Sequence, residues 1–99
     1  MIYIKSELSK ILGKMEELER SGQLNYDRLY PLIEEAYLLI SDYFEIDQCH
    51  SIIHQLANHM RELEKCKIYQ DKLPTKFKHV FENAKRSTAE ELRIFISHL

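Results

Sequence analysis

Glycine and proline are scarce here, two of each in 99 residues. That leaves little turn chemistry for a sheet and suits a few long helices joined by short loops. Cysteine is as scarce. If one helix carries both Cys49 and Cys66, the rise per residue sets them roughly 25 Å apart, far beyond disulfide reach. They read as free thiols, with Cys49 a small core residue. No stretch approaches the roughly 18 apolar residues that span a bilayer, and the N-terminal MIYIKSELSK lacks the apolar centre of a secretory signal. The chain therefore reads as cytoplasmic and without a transmembrane segment. Charge of one sign is not in excess either: the formal net charge is -2, which argues against a general nucleic-acid binder.

What the chain does have is 44% hydrophobic and 30% charged residues, the balance of one self-folding globular domain over residues 1–99. The apolar residues recur at helical spacing. Ile4, Leu8, Ile11, Met15 and Leu18 form one stripe. Leu29, Leu32, Ile33, Ala36, Ile40 and Tyr43 form a second, and Cys49, Ile52, Ile53, Leu56, Met60 and Leu63 a third. Each stripe is the dry face of a helix that needs a partner.

The spacing predicts a first helix over 3–20, stopped at Ser21-Gly22 where glycine can take the left-handed cap. Asn25 offers an N-cap oxygen to a second helix over 26–44, with Asp27 favourable to its dipole. Pro31 interrupts that pattern. Either it lies in the first turn of a helix beginning near Tyr30 or it kinks a longer one, and the preference of proline for the first turn favours a start close to it. A short connection capped by Asp47 leads to a third helix over 48–66. Pro74 starts a fourth, with Phe77, Val80, Phe81 and Ala84 dry and Lys76, Lys78, Lys85 and Arg86 wet. Ser87-Thr88-Ala89-Glu90-Glu91 reads as a capping box, Ser87 with Glu90 or Thr88 with Glu91, opening a short last helix with Leu92, Phe95, Ile96 and Leu99. The fold class is all-α: an antiparallel four-helix bundle with a short additional C-terminal helix.

Chemistry-bearing groups are few. His50 and His54 lie four apart, a spacing that can hold a metal, but both point away from the apolar stripe, and the next positions on their face are Asn58 and Arg61. A solvated pair is the expectation, with no metal and no cofactor. Cys49 sits on the dry line of its helix, unlike a nucleophile in an electropositive niche. Glu16-Glu17 and Glu34-Glu35 are adjacent pairs that diverge by about 100° and cannot face one substrate. No catalytic residue is expected. The tyrosines Tyr30, Tyr37, Tyr43 and Tyr69 suit a core rim or a recognition surface.

The charge is divided unevenly. Residues 1–64 hold 6 Lys/Arg against 12 Asp/Glu, whereas residues 65–99 hold 8 against 4. The two blocks either neutralise each other across the bundle or leave a positive docking face. The mix of Lys65, Lys67, Lys72, Lys76, Lys78, Lys85 and Arg86 with Tyr69, Phe77 and Phe81 suits an acidic protein or an anionic membrane surface better than RNA.

The run SIIHQLANHMREL after a short acidic loop, and KLPTKFKHVFENAK with its proline-started helix, resemble the small bacteriocin immunity proteins of Gram-positive bacteria, the group of the enterocin A immunity protein. The resemblance spans roughly residues 24–86. It implies an antiparallel four-helix bundle in the producer's cytoplasm that acts on the membrane receptor complex engaged by the bacteriocin, with specificity in the C-terminal half, here the basic part. A capped last helix departs from the looser tail of many relatives.

The resulting expectation is a monomeric or weakly dimeric, non-enzymatic bundle that binds another protein and no specific nucleic acid, through Lys72, Lys76, Phe77, Lys78, Lys85 and Arg86. The rival is a regulatory adaptor or inhibitor, of phage, sporulation or signalling type, that docks through Leu92, Phe95, Ile96 and Leu99 as groove anchors.

Overall fold

Gly22 ends the first helix as its position in the sequence predicts. It has φ 73°, and the Gln23 and Gly22 amides return to the carbonyls of Leu18 and Glu19 at 2.8 and 3.1 Å. That is a Schellman cap, which a residue with a Cβ would strain. The computed structural model describes the backbone of residues 2–99 and the side chains of residues 3–45 and 51–99. Its helices are α1 (Ile2–Arg20), α2 (Tyr26–Tyr43), α3 (Ile46–Lys67) and α4 (Pro74–Ser97).

Cross-helix contacts fix the topology. Tyr3 lies tilted against Tyr43, ring centres 5.5 Å apart, while Asp27 meets Lys67 and Tyr30 meets Glu64. His59 reaches Glu91 and Lys76 covers Tyr69, and Glu16 and Glu19 meet Arg93 and Lys85. In α2 with α3, α3 with α4 and α1 with α4, rising numbers on one side meet falling numbers on the other, and the start of α1 meets the end of α2, so neighbours are antiparallel. The diagonal α2 and α4 run the same way, with Tyr26 against Phe77 at one end and Phe44 against Phe95 at the other.

The four dry stripes close on one core. Ile4, Leu8, Ile11 and Met15 of α1 meet Leu29, Ile33, Ala36 and Ile40 of α2, Ile52, Ile53, Leu56, Leu63 and Cys66 of α3, and Phe81, Ala84 and Leu92 of α4. Two polar side chains join them, His59 and Thr88.

Four expectations need correction. Pro31 lies inside α2, not at its start. Asn25 caps the helix by accepting the Arg28 amide at 3.0 Å, and this cap outweighs the proline. Pro31 faces solvent, where water can serve the Asp27 carbonyl that loses its helical donor. The additional C-terminal helix does not exist as a separate element, because α4 continues through Ser87 and Thr88 to Ser97. Phe81, Ala84, Thr88 and Leu92 form one unbroken buried stripe, and no glycine or proline follows Pro74 to interrupt it. Packing therefore overrides the capping box. Tyr43, placed on the dry face, is 54% exposed. The helix α3 starts at Ile46, ahead of the expected cap Asp47. The side chains of Asp47, Cys49 and His50, and with them the histidine pair, lie outside the described residues.

Candidate interaction surface

The basic residues of the C-terminal third divide between the shaft of the bundle and one of its ends. On the shaft, Lys85 is half-buried between Glu19 at 2.9 Å and Glu82 at 2.7 Å. Burial pulls its ammonium pKa down, but the hydrogen bonds it donates to Glu82 and Glu19, with the attraction of those carboxylates, outweigh that and the net shift is upward. Arg93 meets Glu16 at 3.4 Å. These pairs border an open groove of about 460 Å³ between α1 and α4, floored by Met15, Leu24 and Ala89, with Arg20 and Arg86 on its margin.

The end formed by the α1–α2 and α3–α4 connections is different. Here Lys72 and Lys78 are exposed and meet no carboxylate among the described residues. Lys76 lies 5.0 Å above the Tyr69 ring, and Lys67 lies 4.1 Å over Tyr26 while pairing with Asp27 at 3.3 Å. Phe77 is held in an aromatic row, tilted 6.4 Å from Tyr26 and stacked 6.1 Å from Phe81. Of the six residues expected to contact a partner, Lys72, Lys76, Phe77 and Lys78 gather at this end. Lys85 and Arg86 sit about 14 Å further along α4, reckoned from its rise per residue. The structure does not join the six into one patch, and Lys85 is already engaged by this chain's own acids.

Ile68 and Leu73 also stand at this end, 70% and 49% exposed. The sequence signal was present, since both are large aliphatic residues in the stretch where the helical period breaks. Along the other side of α4, His59 Nε2 lies 2.9 and 3.2 Å from the two carboxylate oxygens of Glu91, and His59 and His79 border a small groove with Asn58, Glu62 and Asn83. Among the described residues no three His, Cys, Asp or Glu side chains converge as metal ligands. Cys66 is buried and free, its thiol facing the Leu63 carbonyl, and burial pushes its pKa up, the opposite of nucleophile activation.

The anchors of the rival reading belong to the bundle. Leu92 is fully buried, Phe95 packs edge-on against Phe44 at 5.6 Å, and Ile96 and Leu99 pack against the core. No helix among the described residues is long and apolar enough to cross a membrane.

The class this geometry defines is an antiparallel four-helix bundle whose apolar stripes close on its own core and whose α3–α4 end carries Lys72, Lys76 and Lys78 without a carboxylate partner among the described residues. Compared with known proteins, the chain matches no family model, no curated protein and no solved structure.

Proposed function

We propose that the chain is a non-enzymatic protein-binding bundle, and specifically a bacteriocin self-immunity protein that works from the cytoplasm on a membrane receptor complex. The observation that carries the binding reading is the contrast in charge: Lys85 and Arg93 are matched by acids of α1, whereas Lys72, Lys76 and Lys78 at the α3–α4 end meet no carboxylate among the described residues. Unmatched cations steer the bundle toward an anionic surface at the membrane and fix its orientation there. The immunity reading rests on the resemblance of residues 24–86. The adaptor reading is less favoured, because its four anchors would have to leave the core to reach a partner's groove.

The test is protection. The chain, expressed in a bacteriocin-sensitive Gram-positive strain, is expected to allow growth in the presence of at least one of a panel of purified peptide bacteriocins. The variant carrying Lys72→Glu, Lys76→Glu and Lys78→Glu is expected to keep its helical circular dichroism and lose that protection. Sensitivity to every peptide of the panel rejects the immunity reading, and full protection by the triple variant rejects the α3–α4 end as the contact.

A further inference from the structure

We infer that the α3–α4 end of the bundle docks directly on the surface of an anionic lipid bilayer, with Ile68 and Leu73 entering the headgroup region and the surrounding lysines meeting lipid phosphates. Three observations support it. Ile68 and Leu73 are large aliphatic side chains of the α3–α4 connection, 70% and 49% exposed, and neither belongs to the core or to the partly buried residues packed against it. The same end carries Arg28, Lys65, Lys67, Lys72, Lys76 and Lys78 beside Asp27, Glu62, Glu64 and Asp71, and of these cations Lys72, Lys76 and Lys78 meet no carboxylate among the described residues. The ion pairs there, Lys67 with Asp27 and Lys65 with Glu62, are solvent-exposed and 3.3 and 3.9 Å long, so they cost little to loosen at a charged surface. Among the described residues, the opposite end carries exposed Asp42 and Glu45 beside exposed Lys5.

The residue types favour lipid over an acidic protein. Protein interfaces are depleted in lysine and are anchored by tyrosine, tryptophan and arginine seated in pockets. Lysines around protruding aliphatic side chains match the two attractions of a bilayer surface, which adds phosphate charge to an apolar layer a few ångströms deeper. Lys76 and Lys67 also lie over tyrosine rings, holding their ammonium groups near the tip.

The chain contains no tryptophan, which makes a single introduced indole a clean depth reporter. The full chain is incubated with sedimentable vesicles of phosphatidylcholine alone or mixed with phosphatidylglycerol. Partitioning onto the anionic vesicles only, reversed by added salt, is expected. Each lysine near such a surface contributes about fivefold to partitioning, so the combined Lys65→Gln, Lys72→Gln and Lys76→Gln variant is expected to bind roughly a hundredfold more weakly. Ile68→Ser with Leu73→Ser is expected to weaken binding at least about tenfold by removing buried aliphatic area. Leu73→Trp is expected to shift its emission to the blue and escape aqueous quenchers on anionic vesicles, while Ile94→Trp stays quenched. Circular dichroism and thermal unfolding verify that every variant is folded.

Absence of binding to anionic vesicles at low salt overturns the inference, as does equal protection of the two indoles or insensitivity to the lysine changes. Capture of an acidic protein by the tip without vesicle binding also overturns it, in favour of a protein partner. Vesicles contain neither bacteriocin nor receptor, so this result stands or falls separately from immunity.

Discussion

Thr88 is the residue at which the core departs furthest from an apolar ideal. Its side chain is wholly buried, and Oγ1 has no hydrogen-bond partner. An unsatisfied buried hydroxyl costs about 1–3 kcal/mol. Valine has nearly the same shape without the hydroxyl, so Thr88→Val is expected to stabilise the bundle by about 1 kcal/mol, a rise in Tm of roughly 4–8 °C for a domain of this size. Thermal unfolding measures it, and a lower Tm would mean that the hydroxyl has a partner after all. Tyr30 makes a second residue-scale case. Its hydroxyl donates to the Glu64 carboxylate, and that bond, with burial, pushes its pKa up to about 12 from 10.0. The folded chain thus holds the proton more tightly than the unfolded one. The contribution is complete below about pH 10 and is lost as pH rises through about 12. Urea titrations across that window are expected to show stability falling in the wild type and falling less steeply in Tyr30→Phe. Some slope persists in the variant, because Tyr26 is raised as well, chiefly by burial.

Within α2, the proline and the cap compete, and the cap wins. The Asn25 side chain holds the Arg28 amide, while Pro31 leaves the Asp27 carbonyl without a helical donor five residues into the helix. Interior proline is worth about 3 kcal/mol less than alanine, offset in part by the stiffness it gives the unfolded chain. Pro31→Ala is therefore expected to raise stability by about 1–3 kcal/mol in chemical denaturation. A loss would show that α2 starts at the proline. The stripes of α1 and most of α2 and α3 were legible because apolar type and helical period coincide there. His59 and Thr88 escaped because the same period places polar side chains in the core. His59 is three residues after Leu56 and four before Leu63, and Thr88 is four after Ala84 and four before Leu92, so position alone carried the information that residue type concealed. The boundary at Ser87 failed for a related reason: Glu91, expected to close a capping box, turns instead to His59 across the bundle. The exposed Ile68 and Leu73 show the opposite mismatch, aliphatic type without helical period, and so the expected contact at that end rested on the lysines and Phe77 without them.

At the scale of the whole molecule, one external variable separates the two uses of charge. Along the shaft, the acidic N-terminal part and the basic C-terminal part neutralise each other through Lys85 with Glu19 and Arg93 with Glu16. The Arg93 pair is exposed on both sides, and Lys85 is half-buried against a half-exposed Glu19. Pairs of this kind contribute about 0–1 kcal/mol each, small against the apolar burial of four stripes. Raising salt from about 0.05 M to about 0.5 M, which shortens the Debye length to a few ångströms, is therefore expected to move Tm by less than about 4 °C. The docking inferred for the tip rests on attraction between unmatched charges across a solvated gap, where the same screening acts almost in full. Binding through it is expected to fall by an order of magnitude or more over a range of salt that leaves the fold intact. Calorimetry and a binding titration on one sample series check both halves. A bundle that melts in step with the loss of binding would place the decisive charges on the shaft rather than at the tip.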